Sequence, residues 1–259
     1  MSDASTLRRH FLAEPLTLRN ERRDFHAWHR GRAHYLLWAL DVDTPALQQR
    51  VARAQAALDG LLLDGYLRQP HVTVALCGFP AQDRTPAADE FDPRLIARQA
   101  EALRAAGVGV FDIVIGGLES FSSAPFLTVH DAGDALGRLR RCLHLDGPHP
   151  QGRYVPHVTV GLYADAWPTA AVARRFAQVD AAPGIRCRIT RLSLMGYVAD
   201  QIGGPLFTLA DYQLDGGSLH WHAAAMPCLA PLQADADAAR PPPLPVAGPR
   251  TDRRDAEIS

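Results

Sequence analysis

At 259 residues, 47% of them apolar, the chain is long enough to bury one large core or two small ones. Its 27 basic and 28 acidic residues leave a formal net charge of −1, which argues against a protein that coats nucleic acid by charge alone. Every basic residue is Arg, so a Walker-type phosphate loop, a Schiff-base lysine and a Ser-Lys dyad are excluded.

The segment up to His34 is rich in Arg and His and poor in periodic apolar residues, and is read as an arm, partly helical around Glu21 to Trp28. Tyr35 to Leu40 is a continuous apolar run bounded by Asp41 and Asp43, as expected of a buried strand. Thr44 and Pro45 make an N-cap and first-turn pair. The helix they open places Leu47, Val51, Ala54 and Leu58 on one face and ends near Gly60. A strand follows from His71 to Cys77, then a helix from Pro93 to Ala106 closed by Gly107. Val108–Ile115 and Phe126–His130 read as strands, with turns at Gly116-Gly117 and Ser122-Ser123. A helix from Asp134 to Leu145 leads to a strand from Val155 to Tyr163, and Trp167-Pro168-Thr169 starts a helix running to Val179. Two long strands, Ile185–Val198 and Pro205–Leu214, close the pattern, whose second half nearly repeats its first. From Ala223 to Ser259, seven of 37 residues are Pro and large apolar side chains are nearly absent, so this tail is expected to be disordered. The expected organisation is an arm over residues 1–33, a two-lobed domain over 34–222 and a tail over 223–259.

Cys77, Cys142, Cys187 and Cys228 lie far apart and form no CxxC pair, so neither a disulfide framework nor a zinc ribbon is suggested. The first residues contain no apolar leader, and no apolar run approaches membrane-spanning length. A cytoplasmic, monomeric protein without a membrane partner is the expectation.

The repeat contains one near-literal duplication. Pro70-His71-Val72-Thr73-Val74-Ala75-Leu76 matches Pro156-His157-Val158-Thr159-Val160-Gly161-Leu162 at six of seven positions, 86 residues on. On a strand, His71 and Thr73 point to one face and Val72 and Val74 to the other, and the same holds in the second copy. A single His-x-Thr is usually the wet face of a half-buried strand. Two near-identical copies in matching halves are not explained that way, because a wet face has no need to repeat its histidine and threonine together. Imidazole titrates near neutral pH, so one ring can accept a proton while the other donates one, and threonine hydroxyls can hydrogen-bond an oxyanion.

From His34 to Leu214 the sequence resembles the 2H phosphoesterase superfamily, whose members include the 2′-5′ RNA ligases, also called RNA 2′,3′-cyclic phosphodiesterases. The resemblance rests on the paired H-x-T-x motifs. It implies an α+β fold of two pseudo-symmetric lobes forming a V-shaped cleft, with His71 and Thr73 on one wall and His157 and Thr159 on the other. It further implies opening of 2′,3′-cyclic phosphate or 2′-5′ phosphodiester ends of RNA or small nucleotides, with no metal or cofactor. His71 would be the acid and His157 the base, and the reverse reaction would join RNA ends. Where the ligase-type branch has an Arg three residues after the second Thr, this sequence has Leu162, so a phosphate contact of that branch is missing or supplied elsewhere. A nucleotide- or RNA-binding module without turnover is the alternative.

Arg30 and Arg32 are candidates to reach a phosphate at the cleft rim. Phe121, Tyr154, Tyr163 and Tyr197 are candidates to stack on a base. His26 and His29 lack a carboxylate or Cys at ligand spacing, so a metal site there is not expected.

Overall fold

The computed structural model describes residues 3–81, 87–144, 154–177, 179 and 183–222 as a mixed α+β fold of two sheets. Helix α1 (Asp3–Ala13) and the short α2 (His26–His29) precede β1 (His34–Asp41), whose apolar run is buried from Leu36 to Leu40. Thr44 caps α3 (Pro45–Ala57) by accepting from the Leu47 amide at 3.3 Å, with Pro45 at the first turn where its missing N–H costs nothing. There follow β2 (His71–Pro80), β3 (Glu90–Phe91), α4 (Leu95–Ala106), β4 (Phe111–Ser120), β5 (Pro125–His130), α5 (Ala135–Leu143), β6 (His157–Thr159) and α6 (Thr169–Phe176). The last strands are β7 (Ile185–Ile189), β8 (Arg191–Val198), β9 (Phe207–Gln213) and β10 (Ser218–Trp221).

One sheet runs β10-β9-β8-β1-β2-β3 and the other β6-β5-β4-β7. All pairings are antiparallel except the short contact of β2 with β3. Each sheet carries one copy of the duplicated motif, on β2 and on β6. The helices are exchanged between lobes. Helix α3 leaves β1 but reaches the other sheet, where Gln55 Nε2 donates to the Val160 carbonyl at 2.9 Å. Helix α5 leaves β5 and packs against β2, where Arg140 donates to the Val74 carbonyl at 2.7 Å. Val72 and Val74 of one motif and Val158 and Val160 of the other are fully buried in a single apolar core. The period-2 reading of both motifs is therefore realised.

Several expectations are corrected. The stretch from Ile185 to Val198 is two strands, because the chain leaves one sheet and enters the other at Thr190. Gly116-Gly117 is no turn but an irregular register inside β4. A Cβ on Gly116 would meet Thr128 Oγ1 at 2.5 Å, so glycine is there for close approach to β5, and buried Arg50 caps its carbonyl. The strand expected over Val155–Tyr163 shrinks to β6, and neither α1 nor β10 was anticipated. The tail from Ala223 to Ser259, with Cys228, lies outside the described residues.

The segment before β1 is stitched to both lobes. Arg8 of α1 makes a bidentate pair with buried Glu119 of β4, at 2.8 and 2.9 Å, and Phe11 stacks on Phe176. The backbone amides of Thr17, Leu18 and Asn20 donate to the carbonyls of Trp167, Ser122 and Tyr163, all in the four-stranded lobe. Trp28 then packs on Tyr35 and Phe79, and the Ala33 carbonyl accepts from Ala199, in the six-stranded lobe. Residues 21–27 thus cross from one lobe to the other.

Buried Gln99 of α4 ties both helices to β1: its carbonyl oxygen accepts from the Trp38 indole at 2.8 Å and its amide donates to the Leu143 carbonyl at 2.7 Å. Gln99→Leu would strand both partners, and each buried unsatisfied group costs about 1–3 kcal/mol. Urea titration is expected to show a loss of about 2–4 kcal/mol in stability with an unchanged m-value.

Candidate functional site

The two histidines are held by the same device. His71 Nδ1 lies 2.8 Å from the Gln69 carbonyl, and His157 Nδ1 lies 2.8 Å from the Val155 carbonyl. A carbonyl only accepts, so in each ring Nδ1 carries the hydrogen and Nε2 keeps its lone pair. In each copy a proline stands between the histidine and that carbonyl. Proline disfavours the helical region for the residue before it, which keeps Gln69 and Val155 extended. No partner for either Nε2 is found among the described residues.

Strands β2 and β6 approach across the two sheets, with Cα atoms within 8 Å. The two imidazoles are close enough for the charge of His157 to disfavour protonation of His71. Tyr154, just before β6, donates to the Thr73 carbonyl at 2.8 Å and lies under the Arg140 guanidinium, which fixes the second motif's approach against the first. Before β2, Gln69 clamps the Leu206 backbone twice, at 2.7 and 2.9 Å. His157 packs against Phe121 and Phe126, at ring distances of 5.1 and 5.2 Å. His71 lies opposite Asp41 in the β1–β2 register, and Asp41 in turn pairs with Arg191.

Burial dominates the titration of both rings. His71 is pushed down to about 4 by burial, opposed by its bond to the Gln69 carbonyl, with Arg68 lowering it further and Asp41 raising it. Burial also lowers His157, against the bond to Val155. Both shifts favour the neutral rings near pH 7.

A cavity of about 590 Å³ opens beside Thr159. The Thr159 hydroxyl is hydrogen-bonded to the phenol of Tyr66. Leu162, Arg68 and Tyr197 line the same cavity. Tyr197 lines the cavity, but its ring is already covered by Arg68 at 4.2 Å and stacked with Tyr35 at 5.5 Å. The other aromatic candidates fare differently. Tyr163 has no exposed surface and its hydroxyl is 2.7 Å from Ser120 Oγ, so it is a core residue with no face to offer a base, a correction to the sequence reading. Tyr154 is engaged with Thr73 and Arg140, and Phe121 with Phe126 and His157. Arg30 and Arg32 do not line the cavity. Both are bound to Asp89, whose carboxyl they hold well below the usual range, and Arg32 also pairs with Glu90. Sequence reasoning missed Tyr66, Arg68, Arg19 and Arg23. The first two lie in an aperiodic loop, and their one signal is nearness to the Pro70-His71 motif.

A family model of the 2′-5′ RNA ligase superfamily matches residues 43–201, a span that contains both motifs. The chain belongs to the 2′-5′ RNA ligase superfamily. No curated protein matches this superfamily member. Among solved structures it is similar to E. coli LigT complexed with 3′-AMP, at 16% identity and a TM-score of 0.44, covering 71% of this chain and 99% of that one. It is also similar to TT0787 of Thermus thermophilus, at 15% identity and a TM-score of 0.43, covering 70% and 98% respectively. Among the described residues no helix is long and apolar enough to cross a membrane, and no group of three or more His, Cys, Asp or Glu could hold a metal ion.

The depressed histidines have a consequence for stability. In the unfolded chain His71 takes up a proton near pH 6.5, in the folded chain only near 4. Between those values the unfolded state holds the extra proton, so stability falls as pH is lowered through this window, by up to about 3 kcal/mol from His71. His157 acts in the same direction. Melting curves between pH 4 and 7 are expected to show a shallower acid limb for His71→Gln than for the parent protein.

Proposed function

We propose that this protein opens 2′,3′-cyclic phosphate or 2′-5′ phosphodiester ends of RNA or small nucleotides, by acid–base catalysis between His71 and His157 and without a metal. The observation that carries the reading is the matched pair of Nδ1 locks, which leaves two Nε2 atoms without a partner among the described residues, on strands that approach each other from separate sheets.

In ring opening, water attacks phosphorus while one Nε2 takes its proton. The bond from phosphorus to one ribose oxygen breaks, and the other imidazolium gives that oxygen a proton. His71 is assigned the acid and His157 the base. That order follows the resemblance; at His71 the field of Asp41, opposite it on the neighbouring strand, raises the pKa only against the larger lowering by burial, so protonation there needs the bound phosphate. Thr73 and Thr159 share the faces of their histidines and supply hydroxyl donors to the non-bridging oxygens, where charge gathers in the transition state. Tyr66 holds the Thr159 hydroxyl at the cavity wall. Arg68 lines the same cavity as Leu162 and is the guanidinium that takes over the contact absent at position 162. With a 5′-hydroxyl in place of water, the same two proton transfers join it to the cyclic phosphate, one ribose oxygen again leaving protonated.

The test is turnover of a 2′,3′-cyclic mononucleotide in EDTA. Activity is expected to persist and to follow a bell in pH. His71→Ala and His157→Ala are each expected to lower kcat on the order of 10²- to 10⁴-fold, and Thr73→Ala or Thr159→Ala by less, because one hydroxyl is only part of the charge stabilisation. Loss of activity in EDTA with recovery on adding zinc or manganese would refute the metal-free reading. Nucleotide binding with no turnover by the parent protein would favour a binding module.

A further inference from the structure

The cavity beside Thr159 is larger than one phosphate needs, and much of its wall comes from outside the family match. Arg19, Arg23, Phe25 and Trp28 line it from the crossing segment, which precedes the matched span beginning at residue 43. That segment is not a loose tail. Asn20 anchors one end through its side-chain amide, to the carbonyls of Ser123 at 2.9 Å and Tyr163 at 3.1 Å. Trp28 anchors the other on Tyr35 and Phe79, with part of its surface still exposed.

The charges on this wall are arranged for an anion. Arg19 has no hydrogen-bond or ion-pair partner among the described residues. Arg23 stacks 4.6 Å over Phe25, and Arg68 faces it from the first lobe, stacked on Tyr197. One carboxylate lines the cavity, Glu21, in an exposed pair with Arg23 at 3.0 Å, and such pairs are weak enough for a phosphate to displace. Guanidiniums held against aromatic rings are preorganised for bidentate contact with phosphate.

We propose that this cavity binds a second phosphoryl group of the substrate, held by Arg19, Arg23 and Arg68, with the adjoining nucleobase against Trp28. The inference rests on the proposed acid–base site for the position of the first phosphate. It makes the crossing segment a specificity element of this chain, selecting nucleotides that carry phosphate beyond the scissile one. That phosphate is either a 5′-phosphate or the next internucleotide linkage.

The full-length protein is to be assayed on three substrates: adenosine 2′,3′-cyclic phosphate, the same nucleoside with an added 5′-phosphate, and a diadenosine dinucleotide ending in the cyclic phosphate. At least one phosphorylated substrate is expected to exceed the mononucleotide in kcat/KM by about tenfold or more, as one or two charge-assisted contacts would give. Which one does so identifies the source of the phosphate. In Arg19→Ala/Arg23→Ala the preference should collapse towards unity, whereas Arg186→Ala, on the exposed face of β7, should keep it. Equal kcat/KM for all three substrates, or a preference that survives the double substitution, would overturn the inference. If nothing is turned over, the proposed function fails, and binding still decides this point. Trp28 fluorescence should report tighter binding of adenosine 3′,5′-bisphosphate than of 3′-AMP, with the difference lost in the double variant and the signal lost in Trp28→Phe. Equal affinities would overturn it.

Discussion

The structure turns on a hydrogen bond made twice, from a histidine Nδ1 to the carbonyl two residues earlier. A free imidazole on a strand rotates about two torsions and exists in two tautomers. The bond removes both freedoms at once, because the carbonyl dictates which nitrogen holds the hydrogen and where the ring lies. Proline makes the bond available by holding the preceding residue extended. The Gln69 clamp on Leu206 then secures that carbonyl's own position in the first lobe. Pro70 and Pro156 are thus part of the duplicated device as much as the histidines are.

Two such rings are useful only if their spacing is fixed, and the exchanged helices supply that. Helix α3 follows the first lobe's central strand yet bonds the Val160 carbonyl just past β6, and α5 follows the second lobe's strand yet bonds β2. Opening the lobes would strip these contacts, the Tyr154 bond to Thr73 and the shared core of four motif valines together. A cooperative interface of this kind behaves as one packed unit, not as two lobes on a hinge.

The parts of the molecule legible in its sequence are those with a local period or a repeat. The buried run of β1, the Thr44-Pro45 start of α3 and the Gly107 end of α4 each follow from a local rule, and the motif pair follows from self-similarity. What escaped reading depends on contacts distant in sequence. Gly116-Gly117 looks like a turn until β5 is laid beside it and the space for a Cβ disappears. The break at Thr190 has no turn residue, because the chain changes sheets while staying extended. Arg30 and Arg32 look like phosphate ligands until Asp89 and Glu90 come beside them. Tyr66 and Arg68 sit in a loop without periodicity, placed by bonds from Leu63 to Leu162 and from Leu67 to Gly203. No local pattern encodes those partners.

On the proposed function, the electrostatics of the site give the substrate a part in assembling the catalyst. Burial depresses both imidazoles, and Arg68 makes protonation of His71 harder still, so the protein's own groups favour two neutral rings. An anionic phosphate placed between them reverses this balance. It favours the charged form of the ring it touches, and it also offsets the guanidinium that opposes that charge. The proton that makes one histidine an acid is then taken up with the ligand, not stored beforehand. A neutral ligand of the same shape would fill the cleft and leave both rings as bases. On that reading, discrimination for phosphate resides in the protonation state of the histidines as well as in contacts to arginine.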